Sequence, residues 1–134
     1  MGTPSTIAIL KNDGTIHQSR CHWDGHIESN GKMLKENYTT VEKIEQLIEL
    51  GYISSLDKEC SKPDGHSFQN PVDGFTVAYH RDRGENLKRV KSEKFDNFKI
   101  FRLSANFEEY NYLYKDGKWL VMCGENRRNS WHEY

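Results

Sequence analysis

An Asp-Gly pair stands twice in this chain between two runs of apolar, β-branched and aromatic residues, and each instance demands a hairpin. Asp13-Gly14, after Asn12, separates Thr6-Ile7-Ala8-Ile9-Leu10 from a returning segment over 15–23. Asp116-Gly117, after Lys115, separates the run from Tyr110 to Tyr114 from the run from Trp119 to Met122. Glycine supplies positive φ without steric cost, and tight turns of this kind match the twist of the strands they join. Alternation in the first hairpin places Ile16, Gln18, Arg20 and His22 on one face, and His17, Ser19, Cys21 and Trp23 on the other. A third strand is expected from Phe75 to His80, with Phe75, Val77 and Tyr79 on one side.

Between the hairpins the period changes. Val41, Ile44, Leu47 and Ile48 form one helical stripe, and Gly51 suits the residue just past the helix end. Thr39-Thr40-Val41-Glu42 reads as a capping box with Thr39 as N-cap. Shorter helices are expected from about Ser29 to Tyr38, weakened by Gly31, and over 92–99, where Phe95 and Phe98 stand three apart. Residues 57–74 read as loop, and 124–134 as a loosely held tail. The fold class is α+β: one domain over 1–134, an antiparallel sheet of about five strands, and two or three helices packed on one face.

Charge narrows the function classes. Nineteen basic residues stand against 20 acidic ones. A DNA mimic needs a large acidic excess and a general nucleic-acid binder a basic one. A local basic patch stays open. The three cysteines are widely spaced, with no CxxC, which reads as reduced thiols. No apolar run is long enough to span a membrane.

Two clusters carry chemistry. In Cys21-His22-Trp23-Asp24-Gly25-His26, an extended backbone aims His22, Asp24 and His26 to one side. Imidazole and carboxylate suit zinc or manganese, which makes His22 and Asp24 weak metal candidates. The plainer reading puts Trp23 in the core and Asp24-Gly25 in a turn. Tyr79-His80-Arg81-Asp82-Arg83-Gly84-Glu85 supplies a base in His80, carboxylates in Asp82 and Glu85, and guanidiniums in Arg81 and Arg83. Paired arginines suit phosphate through their planar fork. The plainer reading is a solvated loop of Asp–Arg and Arg–Glu pairs. Tyr110, Tyr112 and Tyr114 share a strand face near Trp119, as a base-stacking platform or as core. Walker, GxGxxG, GxSxG and HExxH motifs are missing, and no cofactor is expected.

Several segments together resemble a family of small phage and prophage accessory proteins. They are Ser5-Thr6-Ile7-Ala8, Cys21-His22-Trp23-Asp24-Gly25, Gly31 and Leu34 before Tyr38, Ile53-Ser54-Ser55-Leu56, Tyr79-His80-Arg81-Asp82-Arg83-Gly84-Glu85, and the hairpin Tyr114-Lys115-Asp116-Gly117-Lys118-Trp119. The chain departs from the family at His26, where an aromatic is usual, which argues against His26 as a ligand. The resemblance implies an accessory, counter-defence role in a bacterial cytoplasm and supplies no reaction. The leading expectation is a binder of a phosphate-containing ligand such as a nucleotide signal. Arg20, Arg81 and Arg83 would hold phosphate, and Trp23 and Tyr79 would stack, with His22, Asp24, His80 and Glu85 completing the site. One alternative is an anti-CRISPR-like inhibitor that binds a host defence protein. Another is a small phosphodiesterase with His22, His80 and Asp82 as catalytic groups.

Overall fold

The computed structural model describes residues 2–126 and 129–134. In chain order the elements are β1 (Ser5–Leu10), β2 (Ile16–Cys21), a π-helical turn (Ile27–Gly31) running into α1 (Lys32–Asn37), and α2 (Val41–Glu49). Then come β3 (Ile53–Ser55), β4 (Val77–Ala78), α3 (Tyr79–Arg83), α4 (Leu87–Val90) and β5 (Glu93–Phe95). The last are α5 (Phe98–Ser104), β6 (Tyr110–Lys115), β7 (Lys118–Cys123) and β8 (His132–Glu133). The strands form one eight-stranded sheet in the order β4-β3-β2-β1-β6-β7-β8, with β5 also paired to β2. Among the described residues no helix is long and apolar enough to cross a membrane.

Both Asp-Gly hairpins are present, β1–β2 and β6–β7, and they meet through β1 and β6. That junction is parallel, as is the pairing of β2 with β3. The sheet is therefore larger than expected and mixed rather than antiparallel. β1 lies in its middle, so its apolar run is buried on both faces, as near-continuous hydrophobic strands usually are. The buried Asn111 side chain fixes the parallel register, accepting from the Thr6 hydroxyl and donating to the Met122 carbonyl.

Helices cover both faces, where one was expected. On one side Ile7, Ile9, Tyr112, Trp119 and Val121 pack against Leu34 and Tyr38 of the α1 segment and Ile44, Leu47 and Ile48 of α2. On the other, Ala8, Ile16, Leu113 and Met122 pack against Phe95, Phe101 and Phe107. Three positions of the α2 stripe are buried, while Val41, in the first turn, is 40% exposed. The N-cap is Thr40 rather than Thr39, its side chain accepting from the Lys43 amide.

The expected helix over 92–99 is two elements. Residues 93–95 pair with β2, and α5 starts only after Asn97, whose side chain caps the Ile100 amide. The expected strand from Phe75 to His80 is a strand at Val77–Ala78, with one isolated bridge from Phe75 to Glu59, before turning into α3. The tail is held at its end: β8 pairs with β7, Trp131 packs against Phe101 and Phe107, and the Tyr134 hydroxyl donates to the Gly31 carbonyl. Arg127 and Arg128, within that tail, lie outside the described residues.

Candidate functional site

The short strand β3 places the two charged motifs beside one another. The His22 amide donates to the Ile53 carbonyl on one side, and the Tyr79 amide donates to the Tyr52 carbonyl on the other. In consequence Arg20, His22, Tyr52 and Tyr79 line one shallow cavity of about 140 Å³, closed by Pro4 and Glu108. Typical small-ligand pockets are about 300–1,000 Å³.

The first motif is a tight turn. Asp24 adopts φ 60°, so the every-second-residue alternation of His22, Asp24 and His26 does not hold. Gly25 is buried where a Cβ would stand 2.6 Å from the Thr3 carbonyl oxygen, and the Gly25 carbonyl accepts from the Tyr112 hydroxyl. Asn30 completes the brace by donating to the Trp23 carbonyl. The Cys21 thiol is pushed up to about 11 by burial, which removes it as a nucleophile. His22, Trp23, Asp24 and His26 remain on the outside. Trp23 is 42% exposed rather than core, and its ring meets His22 edge-on at 4.6 Å. Among the described residues, no group of three or more His, Cys, Asp or Glu side chains is placed to hold a metal.

The second motif is one helical turn, α3, ended by Gly84 at φ 84°. Its two arginines differ sharply. Arg81 donates from Nε to Asp82 Oδ1 at 2.9 Å, from Nη1 to the Cys60 carbonyl at 2.7 Å, and from Nη2 to the Thr76 carbonyl at 3.1 Å and Asp82 Oδ2 at 3.0 Å. The Asp82 side chain is fully buried and also accepts from the Ala78 amide at 2.7 Å. Burial alone would raise its pKa. The hydrogen bonds from Arg81 and the Ala78 amide outweigh that, and the carboxyl is held below its ordinary range.

Buried His66, which the sequence reading passed over, closes this network. Its Nδ1 accepts from the Val72 amide, so the ring proton sits on Nε2, facing the Thr76 carbonyl and Asp82. Together Arg81, Asp82 and His66 tie the 57–76 loop to the start of α3. The only sequence signal was a histidine inside a Pro/Gly-rich loop, which does not reveal burial.

Arg83 faces outward. It pairs with Glu85 at 3.5 Å, and its guanidinium lies over the Phe68 ring at 4.6 Å. Phe68 in turn meets the Tyr79 ring at 6.1 Å. His80 donates from Nδ1 to the Glu85 carbonyl at 2.7 Å, leaving Nε2 as an exposed acceptor. Among the described residues no hydrogen bond or ring contact joins His22 to His80. Arg20 is engaged as well, donating to Glu108 Oε1 at 2.8 Å and the Asn106 carbonyl at 2.8 Å. Of the tyrosines on β6, Tyr112 is core and Tyr114 packs on Trp119.

What the site presents is a ribbon of rings, from Trp23 and His22 across the cavity to Tyr79 and Phe68, ending at Arg83. Searches of family models, curated proteins and solved structures return no match to this chain.

Proposed function

We propose that the protein is a non-catalytic binding module that docks a partner protein on the Trp23–His22–Tyr79–Phe68–Arg83 ribbon. The observation that supports this reading is the division of labour between the motifs' side chains. Arg81 and Arg20 are committed to internal acceptors, while Trp23 and Arg83 face solvent. Tryptophan, tyrosine and arginine are the residue types that dominate protein interfaces energetically. Arg81 spends four of its five N–H donors internally and keeps no paired fork for a phosphate, and the cavity that Arg20, His22 and Tyr79 line is smaller than a typical ligand pocket. The resemblance to phage accessory proteins directs the search toward a host defence protein in a bacterial cytoplasm.

The experiment uses wild type, Trp23→Ala and Arg83→Ala as baits against lysate of a bacterial host, alongside a panel of cyclic and linear nucleotides. Heating after incubation releases any retained nucleotide. A protein retained by wild type and lost in both variants supports the reading. A nucleotide recovered intact replaces it with a ligand sponge, and a converted nucleotide replaces it with a phosphodiesterase.

A further inference from the structure

We infer that the groove between the end of α2 and the α4–β5 segment is a second docking site, built for an acidic, extended peptide segment carrying a hydrophobic residue. The groove has an open volume of about 810 Å³ and is lined by the cations Lys88, Arg89, Lys91 and Lys94. All four are exposed, and none takes part in an ion pair among the described residues. Two carboxylates also line it, Glu49 and Glu93. Glu93 is engaged by the Tyr52 hydroxyl at 3.0 Å and by Arg20 at 3.9 Å, so little of its charge faces the groove. On a chain with net charge −1, four cations against the exposed Glu49 and the engaged Glu93 leave the groove locally positive. His17, also on the wall, has its pKa lowered, first by burial and then by Lys11 and Lys94.

The groove is preformed. The Tyr52 amide donates to the Val90 carbonyl at 2.6 Å, and the Ser92 hydroxyl donates to the Ile48 carbonyl. Gly51, at φ 82°, permits this approach, since a Cβ there would sit 2.4 Å from the Val90 oxygen. A rigid wall lowers the ordering cost of binding.

The lining also selects the occupant. Single-stranded nucleic acid needs free aromatic faces for its bases. Here Phe95 is only 9% exposed, and Arg20 lies 5.8 Å over the Tyr52 ring. The accessible apolar group is Leu87, 40% exposed among the lysines. An apolar seat ringed by separate point charges fits carboxylates flanking a leucine-sized side chain. Tyr52 also lines the His22–Tyr79 cavity, so one partner can span both surfaces. The groove proposal nevertheless stands or falls without the ribbon.

The test is fluorescence anisotropy at low and physiological salt with three probes. These are a labelled Glu/Asp-rich peptide with one central leucine, the same peptide with serine there, and a single-stranded oligonucleotide of equal charge. Wild type should bind the leucine peptide saturably, more weakly as salt rises. The double variant Lys91→Glu, Lys94→Glu should weaken it roughly tenfold or more. Leu87→Ser should weaken the leucine peptide and leave the serine peptide unchanged. Lys118→Glu, in the β6–β7 hairpin and outside the groove lining, should change nothing. The proposal is overturned by no saturable binding, by equal losses in Lys118→Glu, or by tighter binding of the oligonucleotide.

Discussion

Replacing Arg81 by lysine keeps the charge and removes the planar fork. The fork makes four hydrogen bonds, two to Asp82 and one each to the Cys60 and Thr76 carbonyls. A lysine ammonium reaches one or two of these. The Cys60 carbonyl loses its donor, and Asp82 loses half of its bidentate contact within a fully buried side chain. Hydrogen bonds to charged groups are worth about 1.5–3 kcal/mol each, and breaking a buried pair outright costs about 3–5 kcal/mol. Arg81→Lys should therefore cost about 2–4 kcal/mol, which for a domain of this size lowers Tm by roughly 6–15 °C. Arg83→Lys is the control. Its pair with Glu85 is exposed and worth about 0–1 kcal/mol. The assay is urea unfolding followed by tryptophan fluorescence, with thermal melts alongside. A loss below about 0.5 kcal/mol for Arg81→Lys would falsify the view of Arg81 as an internal clamp. It would return that residue to the list of groups free to meet a ligand.

Asp82→Asn carries a pH signature. Because the folded carboxyl is held below its unfolded value near 3.9, its contribution is complete above about pH 4 and is lost as pH falls through the folded pKa. The stability gap between wild type and Asp82→Asn should be flat from neutral pH to about pH 4 and narrow below it, and a gap that widens in acid contradicts the network. Leu47→Ala should cost about 2–5 kcal/mol in a denaturant melt while Val41→Ala costs almost nothing, since Leu47 is buried and Val41 is not. Gly25→Ala should be strongly destabilising by thermal melt, because its Cβ meets the Thr3 carbonyl and Ser5 rather than a side chain that can move. A thiol reagent at neutral pH should label Cys123 quickly and Cys21 and Cys60 only on unfolding, because both are buried and burial raises both thiol pKa values.

The parts of the fold written in local chemistry were legible. Asp13-Gly14 and Asp116-Gly117 announced the hairpins, and Ile44, Leu47 and Ile48 announced α2. The parallel junction of β1 with β6 was not, because it pairs residues more than a hundred positions apart and no turn encodes it. Phe95 and Phe98 misled for a related reason. Their spacing is helical, but the first packs from a strand and the second opens α5 after the Asn97 cap. At the site, both motifs stood out by composition, and β3 sets only Cys21 and His22 of the first and Tyr79 of the second on one cavity. Composition cannot separate Arg81 from Arg83, two residues apart, because only burial shows that one closes onto Asp82 while the other covers Phe68. Trp23 was equally opaque: tryptophan usually marks core, and the turn at Asp24-Gly25 holds this one at the surface.

On the proposed reading, the surface from Trp23 to Arg83 meets a protein partner. A photo-crosslinking amino acid with an aromatic side chain, which keeps a ring in place of Trp23, is placed at position 23 and separately at exposed position 103 of α5, in bacterial cells that express the protein. A discrete covalent adduct with one cellular protein is expected from position 23, suppressed by Arg83→Ala, and none from position 103. An adduct arising equally from both positions, or from 103 alone, contradicts it.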